Sequence, residues 1–154
     1  MAIPAEFTSK NEAEFISQML VPLFHRLGFS IVVNYHGGRE FGKDLVFGEI
    51  DRFGHIRYHG LQVKYVDSIG QSEVKTLIED CQEAFANPFR HPHTNAEERI
   101  NTFYAVNGGS ISDQARTHFF NSLAHPYGGN VRLIDAKGVL ALDRWAAANR
   151  SQTT

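Results

Sequence analysis

The chain has a single cysteine in 154 residues, so Cys81 has no partner within the chain for a disulfide and cannot build a cysteine-based zinc site. A reducing, cytoplasmic setting suits that usage. No run approaches the ~18 uninterrupted apolar residues of a membrane span, and the opening MAIPAEFTSK lacks the basic-then-apolar order of a secretory leader. The expected location is therefore the cytoplasm, with no membrane partner. An excess of one charge is also missing, since 15 Lys and Arg face 17 Asp and Glu for a formal net charge of −2. This excludes a polycation that coats nucleic acid but leaves room for a local basic groove. There is no internal repeat and no linker, and residues 1–154 are expected to form one domain. With 42% apolar and 21% charged residues, the composition is that of a globular chain with a real core.

Residues 8–27 place Phe15, Ile16, Met19, Leu20, Leu23, Phe24 and Leu27 at helical spacing, with Thr8 or Ser9 as cap and Gly28 as terminator. Pro22 predicts a kink or break near Leu20 to Val21, because it has no N–H to donate and its ring crowds the preceding turn. FSIVVNY reads as a strand, and the glycine-rich HGGREFGK leads into a second, DLVFGEI. DRFGH turns the chain into a third, IRYHGLQVKYV, paired as a hairpin. A helix is expected from about Ser72 to Asn87, with Val74, Leu77, Ile78, Cys81, Ala84 and Phe85 on one stripe. Residues 87–99 read as a long exposed connection. INTFYAVN follows as a buried strand, then a helix capped by Ser110 with Asp113 as reciprocal partner, the strand VRLIDA, and the helix VLALDRWAAANR. The fold class is α/β, a mixed β-sheet flanked by helices, in the order αβββαβ followed by αβα.

The chemistry-bearing residues fall at the second and third strands. Asp44 directly follows the glycine-rich loop, and alternation along the third strand sends Gln62 and Lys64 to one face while Leu61, Val63 and Tyr65 take the other. An acid, an amide oxygen and an amine at one end of a hairpin suit metal-assisted phosphodiester hydrolysis. Mg²⁺ or Mn²⁺ takes oxygen ligands, offered by Asp44, Gln62 and the backbone carbonyl of Val63. Lys64 can orient a water or stabilise developing charge. Glu12 and Glu14 on the first helix are candidates for a further carboxylate, and Arg39 and Lys43 in the adjoining loop are candidates for phosphate contact.

On NEAEFISQMLVPLFHRLGF, the GKD that ends at Asp44, and the LQVK that ends at Lys64, the sequence resembles the PD-(D/E)XK, restriction-endonuclease-like nuclease superfamily, Mrr-like members included. The resemblance covers about residues 10–108 in order. It implies Mg²⁺-dependent cleavage of nucleic acid, with Asp44, Gln62 and Lys64 in the core roles. The NEA segment resembles the first helix of type I restriction motor subunits, which ranks Glu12 above Glu14. One departure is Gln62, where the commonest form of the motif has an acid; Mrr-like members also resemble this chain in having glutamine there. Domains of this kind resemble the nuclease effectors of restriction and anti-phage defence. No DNA-reading module is evident, so specificity for DNA is expected to come from a homo-oligomer, a partner or a longer parent protein. A domain that kept the fold and binds nucleic acid or acts as a scaffold without catalysis is the alternative, and an RNase a third assignment.

Other features read more simply. His91 and His93, in a loop without convergent ligands, make a poor zinc site. Cys81 belongs to the apolar stripe of its helix, and Tyr104 and Trp145 read as packing residues.

Overall fold

The structure, a computed structural model, describes residues 3–35, 42–123 and 125–150. The first helical stretch is α1 (Glu12–Glu14), a π-helical segment (Phe15–Leu20) and α2 (Val21–Arg26). The transition from π to α geometry falls between Leu20 and Val21, where the Val21 N–H donates to Ile16. The backbone stays helical on both sides of that point, so the chain changes helix type there and does not separate into two pieces; Pro22, with no N–H to donate, falls in the first turn of α2. The cap is Asn11, whose side chain accepts from the Glu14 N–H at 2.9 Å, in place of Thr8 or Ser9.

Strands β1 (Ile31–Asn34), β2 (Leu45–Ile50) and β3 (Ile56–Lys64) follow as an antiparallel meander. The short β4 (Ser68–Ile69) precedes α3 (Gln71–Ala86). Next come β5 (Phe89–Arg90), β6 (Glu97–Glu98), β7 (Thr102–Asn107), β8 (Ser110–Ile111), α4 (Asp113–Ser122), a 3₁₀ segment (His125–Asn130), β9 (Val131–Ile134) and α5 (Ala136–Arg150). The five-stranded sheet has the order β1-β2-β3-β7-β9, with β7 parallel to both β3 and β9. This is the mixed α/β arrangement expected from the sequence.

Alternation along the strands builds two cores. Val46, Tyr58, Phe103, Ala105 and Val131 face α3 and α4, meeting Val74, Leu77, Cys81, Ala115 and Phe119. Leu45, Phe47, Leu61, Val63 and Val106 face the first helical stretch and α5, meeting Phe15, Ile16, Leu20, Leu23 and Val139. Both sides of the sheet are thereby removed from water, as a parallel β3-β7-β9 half requires. Cys81 is fully buried, and burial pushes its thiol up to about 12, so it is a packing residue.

Three local expectations are corrected. Ser112 caps α4 in place of Ser110, accepting from the Ala115 N–H at 3.1 Å, because Ser110 is engaged in β8 beside Ser68. Residues 87–99 are not simply an exposed connection: β5 and β6 pair, Phe89 and His91 are buried, and the His91 Nδ1 accepts from the backbone of His93 and Thr94. Trp145 is 58% exposed rather than packed.

Candidate active site

Asp44, Gln62 and Lys64 lie on the α3 side of the sheet. Leu45 pairs with Leu61, so one step further in the same register sets Asp44 opposite Gln62, and Lys64 follows two residues on. The Asp44 backbone supports this, its N–H donating to Leu61 at 2.8 Å and its carbonyl accepting from Tyr35 at 2.7 Å. Its side chain is buried, and Oδ2 accepts from the Val63 N–H at 2.8 Å. That bond fixes the carboxylate against β3. Gln62 is 9% exposed, and its Oε1 is fully enclosed with no hydrogen-bond partner among the described residues.

Lys64 is more open, at 27% side-chain exposure, and its Nζ stands 4.0 Å from Asp80 Oδ2. Asp80 comes from α3 and was not among the residues singled out by sequence. Its Oδ2 is enclosed and, like Gln62 Oε1, has no hydrogen-bond partner among the described residues. Burial pushes the Asp80 carboxyl up to about 6; Lys64 opposes this, while Glu83, Asp44 and Glu79 add to it. The sequence signal for Asp80 was faint, because an acid beside the apolar stripe of an amphipathic helix has the pattern of a solvated residue.

The first helical stretch covers the opposite side of the sheet, but its start is tied to the same end of β3. Tyr65, next after Lys64, stacks on Phe15 with ring centroids 4.7 Å apart and donates its hydroxyl to the Ser9 carbonyl at 2.8 Å. Glu12 is half-buried in the first turn of α1. Glu14 is engaged in the helix start, its Oε2 accepting from the Lys10 N–H at 2.8 Å.

The two basic candidates fare differently. Arg39 lies outside the described residues. Lys43 is corrected: it is 1% exposed, with Nζ donating to the carbonyls of Ala84 and Asn87, each at 3.1 Å. Together with Arg99, which donates to Phe85 and Ala86, it satisfies the C-terminal carbonyls of α3. A sequence pattern cannot show this, since a lysine in a glycine-rich loop reads as solvated. Burial lowers its ammonium to about 8, with Glu83 opposing that shift and Arg99 adding to it. Lys43→Ala is therefore expected to lower unfolding stability by about 2–4 kcal/mol through lost packing and orphaned carbonyls. Chemical denaturation checks this, and the salt dependence of any DNA binding should be the same in the variant as in the wild type.

Among the described residues no three His, Cys, Asp or Glu side chains converge as a metal site. The donor set is mixed: the Asp44 carboxylate, the enclosed Gln62 amide oxygen and the enclosed Asp80 oxygen. Such hard oxygen donors, too few to fill a coordination sphere, fit a Mg²⁺-type ion that keeps several waters.

No protein-family model and no curated protein matches the sequence. In structure the chain is similar to MspJI restriction endonuclease, solved in complex with a 27-mer oligonucleotide. The match has 17% identity and a TM-score of 0.46, and covers 83% of this chain. The chain spans 26% of the length of that solved protein. No helix among the described residues is long and apolar enough to cross a membrane.

Proposed function

We propose that the chain is a Mg²⁺- or Mn²⁺-dependent endonuclease that hydrolyses DNA phosphodiester bonds as the nuclease effector of a restriction or anti-phage defence system. The observation that carries the reading is Gln62 Oε1, a fully enclosed acceptor with no donor among the described residues. Leaving such a group unsatisfied costs about 1–3 kcal/mol, and a hard cation at that point removes the cost. Asp44, Gln62 and the Val63 carbonyl would hold the ion, with Glu12 or Glu14 as a further carboxylate. When bound, the ion polarises a phosphate oxygen and acidifies a water.

The remaining steps belong to the chain. The Val63 N–H holds the Asp44 carboxylate in one orientation. Lys64, anchored at the end of β3 and partly open to solvent, presents its ammonium where a phosphate becomes more negative during attack. DNA is the proposed substrate, with specificity supplied by a second copy, a partner or a longer parent protein.

Incubation of purified protein with plasmid, linear duplex, single-stranded DNA and RNA, each in Mg²⁺, Mn²⁺ or EDTA, tests the proposal. Metal-dependent DNA cleavage is expected. Cleavage of RNA alone would reassign the substrate, and DNA binding with no cleavage in either Mg²⁺ or Mn²⁺ would mark a binding domain.

Glu12→Gln is expected to slow cleavage on the order of 10-fold, as for loss of a group that orders a metal-bound water, while Glu14→Gln changes turnover less. Glu14 already serves the Lys10 N–H, so its variant should register mainly in thermal melting. Equal or reversed effects on turnover would show the helix carboxylate to be misassigned.

A further inference from the structure

We propose that Asp80, reaching the sheet from α3, supplies the cation site with the negative charge that Gln62 leaves out. This rests on the metal-dependent reading above and adds to it an oxygen donor from a different element of the fold.

Two enclosed oxygens without hydrogen-bond partners among the described residues, Gln62 Oε1 and Asp80 Oδ2, belong to the same side of the sheet. Lys64, two residues beyond Gln62 on that face, stands 4.0 Å from Asp80. Asp44 stands opposite Gln62 by register, and α3 passes the segment leading into it at Asp80, whose backbone carbonyl would lie 2.2 Å from a Cβ at Gly42. Asp44, Gln62 and Asp80 thus offer oxygens on the face of the sheet that α3 covers, with Lys64 beside Asp80. Acceptors in proximity repel one another unless a donor or a cation lies between them.

Lys64 does not resolve this by itself. At 4.0 Å its ammonium is beyond hydrogen-bond range of Asp80, and a simple ion pair between them would leave the Gln62 oxygen unexplained. One divalent cation satisfies both oxygens. It also accounts for a neutral glutamine beside Asp44: two carboxylates, Asp44 and Asp80, then face the ion, so the charge lacking on β3 is made up from α3. Affinity for hard cations follows the number of charged ligands.

The test is calorimetric titration of Mn²⁺ into the full chain without DNA, for wild type, Asp80→Asn, Gln62→Glu and the double variant. Asp80→Asn should weaken Mn²⁺ binding about tenfold or more, and adding Gln62→Glu should restore Kd to within about threefold of wild type, because the ligand charge is then the same. A Kd for Asp80→Asn within about twofold of wild type, or a double variant that binds no tighter than Asp80→Asn, overturns the assignment.

The two readings fail separately. Wild type that binds no divalent cation removes both, whereas Asp44→Ala abolishing binding while Asp80→Asn leaves it intact removes only the role of Asp80. Thermal melting without metal confirms folding, and Asp80→Ser, which also removes the carboxylate, replaces Asp80→Asn if that variant does not fold.

Discussion

Lys64→Ala is expected to abolish metal-dependent cleavage, a fall on the order of 10³-fold, in a protein that still folds. The lysine is placed to act on substrate rather than to support the core. Its side chain is partly exposed at the end of β3, and it faces Asp80 at 4.0 Å among the described residues. Asp44→Ala should have the same effect on cleavage, but this residue is enclosed and accepts the Val63 N–H. Alanine orphans that donor at a cost of about 1–3 kcal/mol. Asp44→Asn, which keeps an acceptor and drops the charge, therefore separates the two effects: it should melt near wild type and still be inactive. Turnover and melting temperature measured on the same preparations decide the matter. Folded Lys64→Ala with unchanged turnover would sink the mechanism.

Gly42→Ala should be the most damaging conservative change in the approach to the site, costing about 3 kcal/mol or more in stability. Gly42 has φ of +82°, a left-handed conformation that alanine adopts at a penalty of about 1 kcal/mol. Space is the larger problem. A Cβ there would stand 2.2 Å from the carbonyl oxygen of Asp80 and 3.1 Å from the backbone nitrogen of Ala84. Both atoms belong to α3, whose backbone cannot yield without shifting Leu77, Cys81 and Ala84 in the core. Close approach at Gly42 lets the next residue, Lys43, reach the end of the same helix and brings Asp44 onto β2. Chemical denaturation tests this, and a midpoint matching wild type would show that the segment is not packed against α3 as described.

Much of this architecture follows from local pattern. The alternation of LQVK sets Leu61 and Val63 against one helical layer and Gln62 and Lys64 toward the other, because successive strand side chains point to opposite faces whatever the rest of the chain does. The hairpin of β2 and β3, the stripe of α3 and the change of helix type at Leu20 to Val21 are equally local, set by turn residues, helical period and the missing proline N–H. Assigning Ser110 as a cap failed because the pairing of β8 with β4 joins residues more than forty positions apart, and that pairing takes priority over a serine's local option. Lys43 and Asp80 depended on tertiary structure for the same reason. By sequence each is a charged residue in a setting that is usually solvated, a loop in one case and a helix flank in the other. Only the docking of α3 on the sheet, with Gly42 at the point of contact, encloses the ammonium against the helix end and brings the Asp80 carboxylate to Lys64. The sequence by itself determined which residues share a face; the packing of the helix onto that face decided which of them lost water, and charge out of water needs a partner.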